Sequence, residues 1–155
     1  MTLPNTATSA QGRSGMTRDE ILAFLEHRQE CFDDFDAAGL ALDYADDAVI
    51  ESPMAGVHTG RAAAEKTLRA TFEAFLDIKW TTDAVLIDGD RAAHFVTCEG
   101  THMRDFMGVP ATNKTFRLPV VFLYELKDRR IIRERRIYDF TGLLVQIGLL
   151  KARPV

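Results

Sequence analysis

From Ile78 onward the pattern drops to a period of two, in a run of four candidate strands that ends at Asp139, and this limits the fold more than any other feature of the sequence. Ile78, Trp80, Thr82, Ala84 and Leu86 alternate with Asp77, Lys79, Thr81 and Asp83, as one face of a half-buried strand requires. Asp88-Gly89-Asp90 is a hairpin turn, and Ala92–Met103 is the returning strand. A loop over Gly108–Lys114, with Pro110 and Asn113, leads to a third strand, Thr115–Leu126. A tight turn at Lys127–Arg130 leads to a fourth, Ile131–Asp139. Long antiparallel strands expose one face unless another layer covers it, so something earlier in the chain must pack on this sheet.

The first half of the chain supplies that layer. Thr17-Arg18-Asp19-Glu20 is a capping box, with the Thr17 hydroxyl as cap and Glu20 reaching back three residues. Ile21, Phe24, Leu25, Phe32 and Phe35 then follow the 3.6-residue period, predicting one long helix that ends near Gly39. Leu40–Tyr44 reads as a short second helix, and Ala48–Ser52 as a short strand stopped by Pro53. Thr59 is placed to cap a helix over Gly60–Leu76, with Leu68, Phe72, Phe75 and Leu76 as its apolar stripe. Gly142–Leu150 forms a short closing helix or an apolar tail. The expected fold class is α+β: a curved antiparallel sheet packed on N-terminal helices, with a conical hollow between the layers.

Composition narrows the function classes. At 155 residues the chain fits one domain, expected over 17–150 between tails at 1–16 and 151–155. Hydrophobic residues make up 46% and charged residues 27%, the balance of a globular protein rather than a disordered one. No apolar run approaches the roughly 20 residues that span a bilayer, so a membrane is not an expected partner. The net charge is −4 and no basic patch dominates, which argues against nucleic acid. Arg129, Arg130, Arg133, Arg135 and Arg136 cluster locally, but alternation spreads them over both faces of a strand. Cys31 and Cys98 form no CxxC pair, and His27 with Glu30 is too small a set for a metal site. The Thr-, Ser-, Ala- and Gly-containing stretch Met1–Gly15 lacks an apolar core and reads as a disordered tail, not a secretory signal. A reduced, cytoplasmic protein without metal or cofactor is expected.

Five segments then carry a family resemblance. Tyr44-Ala45-Asp46-Asp47-Ala48-Val49-Ile50-Glu51-Ser52-Pro53 resembles the short-strand segment of ketosteroid isomerases. His58-Thr59-Gly60-Arg61 resembles the helix entry of the nuclear transport factor 2-like superfamily. Gly100-Thr101-His102 with Phe106-Met107-Gly108-Val109-Pro110-Ala111-Thr112, and Asp139-Phe140-Thr141-Gly142-Leu143-Leu144-Val145-Gln146-Ile147-Gly148, resemble the SnoaL-like polyketide cyclase group of that superfamily. The resemblance runs from about Arg18 to Leu150. It implies a cone-shaped fold, a small apolar oxygenated ligand such as a polyketide, terpenoid or steroid-like compound, and a homodimer formed through the sheet. Anchored on these motifs, the cavity Asp of the cyclases falls on Arg136 and their His on Phe122. The catalytic Asp of limonene-epoxide-hydrolase-like members also falls on Arg136. The base of ketosteroid isomerases falls on Ser52, and their oxyanion-hole Asp near Phe122. The usual catalytic acids and bases are therefore replaced.

What remains suggests other chemistry. If Arg136 faces the hollow, Glu134 and Tyr138 share its face. An arginine there presents a fixed fork of donors to a carboxylate, enolate or developing oxyanion. Glu134, or Glu99 on a neighbouring strand, would be its partner or a base; the alternative is an ion pair that only satisfies itself. His102 sits at a strand end, as a general base, a role that suits histidine side chains in general, or as an anchor of the following loop. Tyr124 shares parity with Phe122 and either offers its hydroxyl to a substrate oxygen or is a core tyrosine. Asp139 reads as the cap of the last helix. Trp80, Phe95, Phe106, Phe116 and Phe122 line or flank the hollow, and Ser52 and Tyr138 complete the substrate-binding set. Three functions fit: a cofactor-independent cyclase, isomerase or hydratase, a non-catalytic binding module, and a dimerisation domain.

Overall fold

The computed structural model describes residues 15–151, so residues 1–14 and 152–155 of the expected tails lie outside the described residues. The first helix, α1, spans Arg18–Asp33 and opens with the expected reciprocal cap. The Thr17 hydroxyl accepts the Glu20 N–H at 3.2 Å, and the Glu20 carboxylate accepts the Thr17 N–H at 2.8 Å. It stops well before Gly39. Phe35 takes a left-handed backbone with φ 57°, and the Asp36 side chain accepts the Gly39 N–H at 2.8 Å, starting helix α2 over Ala37–Leu42. Gly39 therefore lies inside a new helix rather than after an old one, because an aspartate that bonds its own backbone favours a cap over a helix interior.

Tyr44, expected in the second helix, instead begins strand β1, Tyr44–Ser52. An unanticipated strand β2, Gly56–Thr59, folds back onto β1 and pairs Val49 with Thr59 and Ser52 with Gly56. Gly56, at φ 70°, permits the tight return. The next helix, α3, spans Arg61–Ala74. Gly60 at φ 96° occupies its cap position, so Thr59 belongs to β2 and caps nothing. Arg61 reaches back to the Tyr44 carbonyl at 3.1 Å and to Asp46 at 3.0 Å, tying helix to strand.

The strands β3 (Lys79–Asp88), β4 (Arg91–Thr101), β5 (Thr115–Lys127) and β6 (Arg130–Ile137) follow the period-two reading closely. Helix α4, Phe140–Gln146, is capped by Asp139, which accepts the Gly142 N–H at 2.8 Å; β6 ends two residues short of that cap. The sheet order is β2-β1-β6-β5-β4-β3. Every neighbouring pair is antiparallel except β1 and β6. Register shifts at Thr82/Ala84, Glu125/Leu126 and Tyr44/Val49 bend the strands, and the six-stranded sheet curves without closing.

The concave face takes Phe116, Leu118, Val120, Phe122 and Tyr124 from β5, all buried. Ile21, Leu25 and Phe32 of α1, and Ala64, Leu68 and Phe72 of α3, pack onto it at helical spacing. Phe32 bridges the layers, its ring centroid 6.3 Å from Phe72 and 6.4 Å from Phe122. Each such fully buried side chain contributes roughly 1.5–3 kcal/mol. The convex face carries Arg117, Pro119, Leu123 and Glu125 in an exposed row. Phe95 lies on this convex side, paired with Ala84 and Val121, and does not flank the hollow. No helix among the described residues is long and apolar enough to cross a membrane.

Candidate functional site

Between the concave sheet and the two long helices lies a narrow hollow of about 80 Å³. Its walls are aromatic and aliphatic, with Phe32, Phe72, Trp80 and Phe122 closing in from helices and sheet. It meets a wider outer groove of about 1150 Å³, which runs between α3 and the loop at 103–111. Met54, Thr71 and Phe106 border both spaces and form the neck between them. The inner volume is well below the roughly 300–1,000 Å³ usual for a drug-sized ligand.

Arg136 is the charged residue that lines the inner hollow among the described residues. Alternation along β6 turns Arg133 and Arg135 outward, where both bind Glu51, and turns Glu134 and Arg136 inward. The Arg136 Nε–H donates to Glu134 Oε1, and the guanidinium lies over the Phe122 ring at 5.8 Å from its centroid. Its terminal nitrogens have no hydrogen-bond partner among the described residues. Burial is the largest single influence and opposes the charge, but the charge and hydrogen bond of Glu134, together with Tyr44 and Tyr124, hold the guanidinium's pKa above its ordinary value. The hollow thus contains a permanent cation with donors to spare in an aromatic setting, where a fixed charge acts far more strongly than in water.

The other expected site residues divide by position. Trp80, Phe122 and Tyr138 line the hollow with Arg136. Ser52 stands behind Tyr138, the two hydroxyls 3.1 Å apart. The Trp80 indole N–H is buried without a partner. Glu134 is fully buried behind Arg136, and its second oxygen accepts the Tyr44 hydroxyl, so it has no free face for a substrate. Tyr124 is also behind the wall, stacked on Phe122 at 5.9 Å, and does not reach the hollow. Burial pushes its phenol pKa well up. Glu99 is on the convex face, bound to Arg117 at 3.0 Å, because its parity on β4 is opposite to that of the buried Cys98. His102 is fully buried beside the loop it precedes and is not a wall residue. Its backbone bonds Lys114 and Asn113, and its ring Nδ1 lies 3.0 Å from the Thr112 hydroxyl. Among the described residues no group of three metal-binding side chains comes together.

A family model for the SnoaL-like polyketide cyclases matches residues 23–147. The chain belongs to that family. Among solved structures, AclR from Streptomyces galilaeus, a candidate hydroxylase, superposes on this SnoaL-like domain with TM-score 0.78 and 23% identity, covering 89% of this chain and 87% of its own. TsrD from Streptomyces laurentii matches with TM-score 0.77 and 21% identity, over 87% and 99% of the two chains. IdmH from Streptomyces antibioticus, a candidate polyketide cyclase, matches with TM-score 0.68 and 27% identity, over 82% and 97%. No curated protein matches the sequence. The SnoaL-like domain has the nuclear transport factor 2-like fold that the motifs implied, and its family suggests cofactor-independent cyclase or isomerase chemistry on small molecules.

Three inward groups of this SnoaL-like domain escaped the sequence reading. Cys98 lines the hollow, and burial pushes its thiol pKa far up, so it stays an unreactive neutral thiol. His94 lies on the same face of β4, its Nε2 2.8 Å from the Thr82 hydroxyl, and burial lowers its pKa to about 4. Parity on β4 carried the signal for both. Arg28 is 1% exposed in the apolar stripe of α1. Its position seven residues after Ile21 and four before Phe32 places it on the core side of the helix.

Proposed function

We propose that the protein is a cofactor-independent cyclase or isomerase acting on a small, apolar, polyketide-like molecule through an enolate held by Arg136. One observation carries this reading: a guanidinium tethered by its Nε alone, with its remaining donors unpaired, lines an aromatic hollow. Such a fork favours two oxygens, or one oxygen that gains charge during reaction. The wall residues include no Asp, Glu or His among the described residues. The proton must therefore leave a carbon that is already acidic, as the methylene of a 1,3-dicarbonyl is, with water as acceptor and Arg136 stabilising the product. Tyr138, braced by Ser52, is placed to donate to a second substrate oxygen. Trp80 and Phe122 supply apolar contact to the rest of the substrate.

The test is turnover of a panel of 1,3-diketones, enones and lactones by the wild-type protein and by Arg136→Met. Removing a charge that stabilises an oxyanion lowers kcat by roughly 10²–10³. A variant with wild-type rate and affinity would remove Arg136 from the site and refute the proposal. A non-catalytic binding role is the second reading, favoured by the lack of a wall base; it predicts a co-purifying small molecule in native mass spectrometry and no turnover. We further propose a homodimer through the convex face, where Leu86 of β3, Leu123 of β5 and Ile137 of β6 are exposed. Sedimentation as a monomer at micromolar concentration would contradict it.

A further inference from the structure

An arginine in the core stripe of a helix needs a reason. Arg28 is almost wholly buried, and its Nη1 donates to Asp43 at 2.9 Å and to the Leu40 carbonyl at 3.3 Å. Asp43 already neutralises it, so the charge balance is complete within α1 and the end of α2. Yet its Nη2 turns away and donates to the Tyr44 hydroxyl at 3.2 Å. That hydroxyl in turn donates to Glu134 Oε2, while Glu134 Oε1 accepts from Arg136. The groups form one unbroken relay, Arg28 to Tyr44 to Glu134 to Arg136, running from α1 through β1 to β6 and ending in the hollow. Four rings frame its buried end, those of Phe24, Phe32, Tyr44 and Tyr124, each 5.2–5.9 Å from the Arg28 guanidinium carbon.

Two consequences follow. Each Glu134 oxygen has its own donor, so the carboxylate is held in one orientation and fixes the Arg136 fork through Nε. The Tyr44 hydroxyl, itself polarised by the Arg28 donor, takes part of the acceptor strength of Glu134, and Arg136 keeps more of its attraction for an oxygen in the hollow than a simple ion pair would leave it. Burial, together with the Glu134 charge, pushes the Tyr44 phenol up to about 12, which keeps it a proton donor in the relay.

We propose that Arg28 and Tyr44 are positioning residues for Arg136, acting through Glu134 to set the anion preference of the hollow. This rests on the reading that Arg136 binds a substrate oxygen. Trp80 is the single tryptophan of the chain and lines the hollow, so its fluorescence reports occupancy. The probes are benzoate and its neutral counterpart benzamide, titrated into the wild type, Arg136→Met and Tyr44→Phe. Tyr44→Phe keeps the buried ring and deletes only the hydroxyl. The wild type is expected to prefer benzoate. In Tyr44→Phe the preference falls about fivefold, the equivalent of one net hydrogen bond, while benzamide affinity is unchanged.

A purely structural role would lower the unfolding midpoint and leave the benzoate-to-benzamide ratio at its wild-type value; that ratio overturns the proposal. A wild type without preference for benzoate overturns the Arg136 reading itself, and the positioning role with it. A preference lost in Arg136→Met but intact in Tyr44→Phe overturns only the positioning role. Should Tyr44→Phe not fold, the wild type decides by side-chain ¹⁵N NMR. Benzoate is then expected to shift the Arg28 Nε resonance as well as that of Arg136, and an unmoved Arg28 signal is the contrary result.

Discussion

Replacing Arg28 with methionine removes a buried cation while keeping a long apolar side chain in its place. The ion pair it breaks is desolvated on both sides, with side-chain exposures of 2% for Arg28 and 12% for Asp43. Removing one partner of such a pair costs about 3–5 kcal/mol, mostly because the other charge stays behind without compensation. Asp43 would keep its charge at the edge of the core, and the Tyr44 hydroxyl would lose its donor. Part of the loss returns as apolar contact with the four aromatic rings that frame the site. The net expectation is a loss of about 3 kcal/mol, a large share of the 5–15 kcal/mol typical of a domain. For a chain of this length that corresponds to a fall in Tm of roughly 6–12 °C. Urea denaturation at pH 7 measures it directly, and the double variant Arg28→Met/Asp43→Leu should recover at least half. A loss below about 1 kcal/mol in the single variant would show that the relay contributes little to the fold, contrary to the energetic argument.

Two further perturbations are specific to this structure. His94 ionises near pH 4 when folded, because burial and the nearby Arg28 charge disfavour its cation, against 6.5 for an ordinary histidine. The unfolded chain therefore binds the extra proton between those values, and stability is lost as pH falls through that window. Wild type should lose about 2 kcal/mol more than His94→Gln between pH 7 and pH 5 in urea titrations, and parallel profiles would contradict the assignment. Asp139→Ala removes the side chain that accepts the Gly142 N–H and should lower stability by about 1 kcal/mol, with little effect on probe binding in the hollow; an unchanged unfolding midpoint would deny the cap its role.

Local periodicity made most of the sheet legible. The alternation in β3 to β6 and their two hairpin turns are properties of neighbouring residues, and so is the capping box at Thr17. Features that depend on distant partners were not visible in this way. β2 is four residues long, and its pairing with β1 has no alternating pattern of its own to announce it. The break at Phe35 depends on Asp36 choosing to cap, which apolar spacing does not reveal. Within the site, parity puts Arg136, Glu134 and Tyr138 on one face of their strand, and the fold turns that face inward. Parity did not distinguish a residue at the wall from one behind it, so Tyr124 and Glu134 were grouped with the wall although packing puts them in a second layer. Glu99 has the opposite parity to the inward-facing Cys98 on β4, and the relay that links Arg28 through Tyr44 to Glu134 joins residues far apart in the chain that no local pattern connects.

The central claim is that Arg136 stabilises an enolate oxygen in the hollow, and the ionisation of a bound 1,3-diketone measures that stabilisation without requiring the natural substrate. Benzoylacetone changes its ultraviolet absorption when it forms its enolate, so its apparent pKa can be titrated free in solution, bound to the wild-type protein and bound to Arg136→Met. The account predicts a bound pKa at least about one unit below the free value in the wild type, equivalent to about 1.4 kcal/mol of preference for the anion, and no such lowering in the variant. A bound pKa equal to or above the free value in the wild type would mean that the hollow does not favour the enolate, and the proposed chemistry would fail.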